Sequence, residues 1–478
     1  MLITLVALYI LFNIGFSFYI SQKNKNTLDY VFAGSKLPFW ISSFAFFATW
    51  FGSEMIIGSA SEFMNRGFKA LIKDPFGASI CIFLIGAVFS KHFYKMPYLS
   101  FASFFKSKYG SKVGFYASFC IIMGYVGWLA AQYIAFAVIL KTLVNLPLEI
   151  GMIIGAIIFL LYVWWGGLLA ISILDMSQTI IIIVGLLAVA IPIISAAGGL
   201  GNIIQQTPPE FFNVVPDMDF MSIATFISAL ITVGIGSLPQ QDLYQRVKAC
   251  KSAAVAKYSG IFSAFLYIAI SLIPAFIILG IKVSQPELIS ELTDGQMVLP
   301  KIVMHNGNVF IQFLFFGAIL SAIMSTASVC ILAPATVFAE NFVRPALIFM
   351  GHRKKVRDID RTISIKQAAI AITIISLIVA FINGNIYHLA TEAATITLVT
   401  LVVPFLFAIF AKKINSTAAQ VAIFSGLSVW LSFMIFKIEF PCQLAGFLVS
   451  LFAYLITDGI IYSFFSKGSQ RRHRPSNY

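Results

Sequence analysis

Thirteen apolar stretches, each long enough to cross a bilayer, run almost end to end through this chain of 478 residues. A span needs about 20 apolar residues at ~1.5 Å rise each. Such stretches lie near residues 2–21, 37–66, 75–96, 113–141, 148–165, 168–197, 219–238, 254–281, 306–342, 365–383, 388–411, 417–436 and 441–466. In hydrocarbon every peptide group has to be satisfied within the protein, so apolar runs of this length predict an all-α bundle. The loops carry charge unevenly: with the N-terminus outside, 25 of the 32 Lys and Arg residues fall on one side. Basic loops resist transfer across the bilayer and stay cytoplasmic. The pattern predicts a multi-pass protein of the cell membrane with an outside N-terminus and a cytoplasmic C-terminus.

Only 11% of the residues are charged, against about a quarter in soluble domains, so lipid is the main solvent. The net charge of +13 would suit a nucleic acid, but it gathers in alternate loops such as His352-Arg353-Lys354-Lys355 and Arg471-Arg472-His473-Arg474. That placement fits topology and anionic headgroups and argues against a nucleic-acid partner. The five cysteines show no metal or redox spacing. The five histidines are scattered, and no nucleophile–base pair or metal motif is visible, so no enzyme is expected. Nothing basic precedes the 2–21 run, while Lys23 and Lys25 follow it. A cleaved signal has the opposite order, so the run reads as a retained span.

The chain reads as one integral membrane domain over 1–478. An extra N-terminal span (1–21) precedes two groups of five spans, 37–197 and 219–411, then two further spans (417–466) and a basic tail (467–478). An odd number of spans per group makes the two groups enter the membrane from opposite sides. Each group opens on an interrupted span: Phe51-Gly52-Ser53-Glu54-Met55-Ile56-Ile57-Gly58 in one, Gly234-Ile235-Gly236-Ser237-Leu238-Pro239-Gln240-Gln241 in the other. Interruptions at matching places of inverted halves point to an ion and solute site at mid-membrane. Single glycines also serve close helix packing; two breaks in register favour a transporter.

In the ninth stretch Ser321, Ser325 and Ser328 stand at i, i+4 and i+7 and share a helical face, with Thr326 beside them. Sodium, a hard cation, takes oxygen ligands, and hydroxyls facing carbonyls freed by a broken helix would supply them. The alternative is that these hydroxyls bond back to their own helix. Glu54 and Asp175 are carboxylates at membrane depth, where burying an ion costs at least ~2.5 kcal/mol, so each should face a cavity, a cation or a partner. Trp128 and Gln132 share a face at i, i+4. With Trp50, Ser53, Gln240 and Gln241 they form an aromatic and polar lining suited to a small organic solute.

These motifs resemble the sodium:solute symporter family, whose members share a LeuT-type inverted five-plus-five core. The resemblance rests on Asp29-Tyr30-Val31-Phe32-Ala33-Gly34, Phe47-Ala48-Thr49-Trp50-Phe51, Gly166-Gly167-Leu168 leading to Asp175 and Gln178, Leu238-Pro239 to Gln245-Arg246, and Ser321 to Thr326. It implies a sodium site made by the carbonyls of Gly52, Met55 and Ala322 with the hydroxyls of Ser325 and Thr326. A second sodium site of some relatives would use Asp175 and Ser328, but Val329 stands where it needs another hydroxyl. Within the family the chain is most similar to the branch containing high-affinity choline transporters, sharing Thr49-Trp50, Asp74-Pro75-Phe76-Gly77 and Trp128. That branch holds choline in an aromatic cage. Here Ala78 and Gln240 replace two cage rings, and Glu54 replaces a glycine, which implies another amine, amino acid or zwitterion.

The expectation is therefore a sodium-coupled symporter importing such a solute by alternating access. Sodium at Ser325 and Thr326 would tie the second span to the ninth, complete a pocket around Trp50, Glu54, Trp128 and Gln240, and leave past Asp175. Two other readings fit the same residues: a proton-coupled carrier in which Glu54 or Asp175 titrates, and a transporter-like solute sensor acting with a separate signalling partner.

Overall fold

The computed structural model describes residues 1–22, 25–290, 295–350 and 358–471, and among these it is helical throughout, with no strand. The basic cluster at 352–355 and the residues 472–478 of the tail lie outside the described residues. At the centre stands the helix Val309–Phe338, whose residues from Phe315 to Val337 are all buried. A helix apolar on every face is stable only when surrounded, and here the long helices Ser111–Val144 and Leu148–Ala196 pack against it.

Both interruptions are real breaks. The helix Phe39–Trp50 stops at Phe51, whose ψ of 75° leaves the helical region. The Gly52 N–H then bonds the Trp50 carbonyl at 3.0 Å, a local turn. Helical winding resumes as a π-turn over Glu54–Gly58 and continues through Ser59–Arg66. In the second group, Phe220–Gly234 ends in a run of turns, and a new helix, Gln241–Ala249, follows. The seventh stretch, expected to end at 238, thus continues past its break. Gln241–Ala249 contains Gln241, Asp242, Gln245, Arg246 and Lys248, so hydropathy marks it as a loop. It is buried because protein groups, rather than water, satisfy those side chains.

A third break lies at Asp74 (φ −146°, ψ 122°). The ring of Pro75 pushes the residue before it out of the helical region, and this opens the backbone beside the first break. Between the fifth and sixth stretches the turn is Gly167 at φ 59°. A Cβ there would meet Tyr30 at 2.6 Å. On a straight helix Tyr162 and Gln178 would stand about 24 Å apart. Instead, Ser17 bonds the Tyr162 carbonyl (2.8 Å) and Asn13 bonds Gln178 (3.0 Å), one helical turn apart on Leu2–Ser21. The chain therefore doubles back at Gly167.

Nine described helices are long and apolar enough to cross a membrane, or ten with the pair Ile386–Thr400 and Val402–Phe410, bent by 53°, taken as one span. The expected thirteen is not reached on length and composition. Glu54–Lys95 and Leu148–Ala196 each count once although a break divides them, and the leading halves Phe39–Trp50 and Phe220–Gly234 are too short to count.

The N-terminal helix is docked by a polar stripe. Tyr9, Asn13 and Ser17, at i, i+4 and i+8, bond Ser321 (2.5 Å), Gln178 (3.0 Å) and the Tyr162 carbonyl (2.8 Å). Without a hydrophobic drive between helices in lipid, such bonds and close packing hold the helix in place.

Candidate functional site

The first break faces the central helix. The Ser325 hydroxyl, with one proton, lies 2.8 Å from the Ala48 carbonyl and 2.5 Å from Asp175 Oδ1, two acceptors that share it, and Thr326 reaches the same carbonyl at 3.4 Å. Neither hydroxyl is exposed to lipid. A Cβ on Gly52 would stand 2.8 Å from Thr326 Oγ1, so only glycine lets the break come this close. Met55 is buried beside it, its N–H on the Gly52 carbonyl at 3.2 Å. Ala322 lies buried one turn before Ser325 and Thr326. The structure thus brings the Ser325 and Thr326 hydroxyls to the Ala48 carbonyl beside the first break, a backbone oxygen that sequence reading did not name.

Asp175 has a different partner from the one expected. Its Oδ2 lies 2.7 Å from Nη2 of Arg246, and both side chains are buried. Arg246 also donates to Thr49 through Nε and to Ser172 through Nη1, each at 2.7 Å. Ser328 turns back to the Ser325 carbonyl at 2.6 Å, the helix-bonded alternative. A guanidinium therefore neutralises the carboxylate considered for a second cation, and Ser328 spends its proton on its own helix.

On the other side of Gly52 opens a small cavity. Trp50, Glu54, Trp128 and Gln240 line it, as expected, together with Asp74 and Tyr267. Trp50 and Trp128 meet edge to face with centroids 6.0 Å apart. Glu54 is fixed by two donors: the Trp128 indole on Oε1 (2.9 Å) and the Gln132 amide on Oε2 (2.8 Å). Gln132 accepts in turn from the Ser53 N–H at 3.2 Å, while the Ser53 hydroxyl is buried and unbonded among the described residues. Gln132 and Ser53 thus position Glu54 rather than line the cavity. A Cβ on Gly52 would also come within 2.5 and 2.9 Å of the two Glu54 oxygens. Glu54 and Thr326 therefore approach the same point on the backbone.

Gln241 is not brought to the cavity. Its amide binds the Phe101 N–H (2.5 Å) and the Leu99 carbonyl (3.2 Å). Gln240 is extended and precedes the helix, whereas Gln241 is its first residue and faces the neighbouring 99–101 segment. Asp242, by contrast, was missed. It accepts from the Trp50 indole at 2.8 Å and from the Tyr125 hydroxyl, so it sits directly behind a cavity wall. Asp74 was quoted only as part of a motif. Its Oδ1 accepts from Tyr267, whose hydroxyl is also 3.0 Å from the Trp50 carbonyl. The available signals were Pro75 after Asp74, and Asp242 and Arg246 at i, i+4 beside a Gly–Pro break.

Broken helices, a glycine-spaced oxygen cluster and an adjoining aromatic cavity define a multi-pass secondary transporter. The profile of the sodium:solute symporter family matches residues 30–426, and the chain belongs to that family: it is a sodium-coupled symporter, not an enzyme. The human high-affinity choline transporter is 24% identical over 414 residues, covering 83% of this chain and 69% of that protein. A sodium/glucose cotransporter of Vibrio parahaemolyticus is 23% identical over 494 residues, covering 92% and 87%. Among solved structures, a Na⁺-coupled sialic acid symporter superposes with a TM-score of 0.83 at 17% identity, over 96% of this chain and 97% of that one. MhsT in complex with L-phenylalanine superposes at 0.52, with 14% identity over 88% and 98%. These likenesses establish the LeuT-type fold, and the family establishes sodium as the co-transported ion.

Proposed function

We propose that the protein imports a small organic amine together with sodium across the cell membrane, with its N-terminus outside. The observation that carries this is the charge of the cavity. Glu54 and Asp74 both line it, and its described lining includes no Lys or Arg. Carboxylates in a low-dielectric site favour a cation, and the ring faces of Trp50, Trp128 and Tyr267 add to that preference. The choline-transporter relatives are named for a quaternary ammonium. In this chain Ala78 and Gln240 line the cavity without rings, and the acidic groups stand in for the missing part of a cage.

In this scheme sodium sits among Ser325, Thr326 and the carbonyls of Gly52, Met55, Ala322 and Ala48. Asp175, held by Arg246, acts as a fixed acceptor for the Ser325 hydroxyl. Glu54 lies between ion and amine, and each cation relieves part of the repulsion or burial cost that the other meets. Such coupling is reciprocal, so each ligand raises the affinity for the other. The two five-helix groups, 37–197 and 219–411, supply the alternation of access.

Uptake of labelled amines into proteoliposomes tests this. Accumulation should require inward sodium and vanish with potassium in its place. Equal uptake in potassium contradicts the coupling, and uptake confined to acidic or neutral solutes contradicts the amine.

A further inference from the structure

We infer that the solute is a dication bearing N–H groups at both ends, of the primary diamine class; this rests on the amine reading above and narrows it.

The first argument is the account of buried charge. Among the described residues four carboxylates are buried, Glu54, Asp74, Asp175 and Asp242, against one buried cation, Arg246. Arg246 is committed to Asp175 at 2.7 Å. The nearest lysine in sequence, Lys73, is taken by Glu392 at 3.4 Å. Three buried carboxylates are left without a positive partner, and all three belong to the cavity: Glu54 and Asp74 line it, and Asp242 holds Trp50 from behind. Buried charge is tolerated when paired. Sodium has its own oxygen ligands at Ser325 and Thr326 and offsets one negative charge of the three, so Glu54 and Asp74, both on the cavity wall, remain to meet the two ends of a dication.

The second argument is the inventory of hydrogen bonds. Most donors on the cavity wall are already used, the Gln240 amide and the Ser237 hydroxyl excepted. Trp128 gives its N–H to Glu54, Trp50 to Asp242, Tyr267 its hydroxyl to Asp74 and the Trp50 carbonyl, and Thr391 its hydroxyl to the Tyr387 carbonyl. Acceptors remain open. Each Glu54 oxygen has taken one donor and has a lone pair left. Asp74 Oδ2 carries no hydrogen bond among the described residues, and Gln240 Oε1 is buried without a partner. Such a wall suits a solute that donates. A quaternary ammonium has no N–H to offer, and a carboxylate would bring acceptors to a wall already rich in them.

The test uses the purified full-length protein in proteoliposomes, with diaminobutane, butylamine, choline, hexamethonium and butanediol competing for, or taken up under, a sodium gradient. Diaminobutane should bind at least about tenfold more tightly than butylamine, the value of one charge-assisted contact, while choline, hexamethonium and butanediol should not compete. Glu54→Gln and Asp74→Asn should each bring diaminobutane down toward butylamine. Equal affinity for butylamine and diaminobutane overturns the second charge and leaves the amine reading intact. Competition by choline or hexamethonium at the level of diaminobutane overturns the N–H requirement alone. Sodium-driven uptake confined to neutral or acidic solutes overturns both. Should either variant fail to fold, the ranking by the unmodified protein still decides among these outcomes.

Discussion

Asp175 and Glu54 are both carboxylates buried at membrane depth, yet their surroundings are opposite. Asp175 meets a guanidinium at 2.7 Å and a serine hydroxyl at 2.5 Å, and its charge is cancelled within the fold. Among the described residues Glu54 meets only the neutral donors of Trp128 and Gln132, and it lines the cavity. An acid at membrane depth is thus informative by what it lacks. The cancelled one fastens helices to each other; the uncancelled one waits for something to arrive.

The comparison breaks most severely at Arg246. Replacing it with alanine strands Asp175 as an unpaired buried charge, which costs about 3–5 kcal/mol. The expected result is loss of folded protein on size-exclusion chromatography, partly recovered when Asp175→Asn is added. Glu54→Gln, by contrast, should still fold but lose about 1–2 kcal/mol in thermal scans, because its amide oxygen can accept from Trp128 or Gln132 while its NH2 faces the other donor. Sodium-driven uptake should fall by more than about tenfold. Gly52→Ala tests whether the two regions communicate: its methyl would press on Thr326 and on Glu54 together, so half-saturation for sodium and for solute should rise in parallel in uptake assays. Ser325→Ala should raise the sodium half-saturation by roughly tenfold, with the solute optimum restored at high sodium. Smallest is Tyr9→Phe, which removes one intramembrane bond worth about 0.6 kcal/mol and should shift the melting temperature slightly without changing uptake.

Much of the fold was legible because glycine and proline mark backbone events that hydropathy cannot hide. Gly52, Gly167 and Gly236 fall at or beside observed breaks or turns, and the Ser325–Thr326 pair faces the first break as expected. Trp50, Glu54, Trp128 and Gln240 were found for a related reason: polar or indole groups next to a break have few places to go except a cavity. Asp242 and Arg246 were missed because a polar segment beyond a break resembles a loop until its partners are known. Those partners, Tyr125, Thr49 and Ser172, are more than seventy positions away. Gln241 was misplaced for the opposite reason. Adjacent residues at a helix start look equivalent in a string of letters, yet Gln240 is still extended and faces the cavity while Gln241 opens the helix and faces the 99–101 segment.

The N-terminal helix carries a consequence for motion. Through Tyr9 it grips Val309–Phe338 in the second five-helix group, and through Asn13 and Ser17 it grips both arms of the Gly167 hairpin in the first. These bonds favour joint movement of the three elements and set a small cost on any sliding between them.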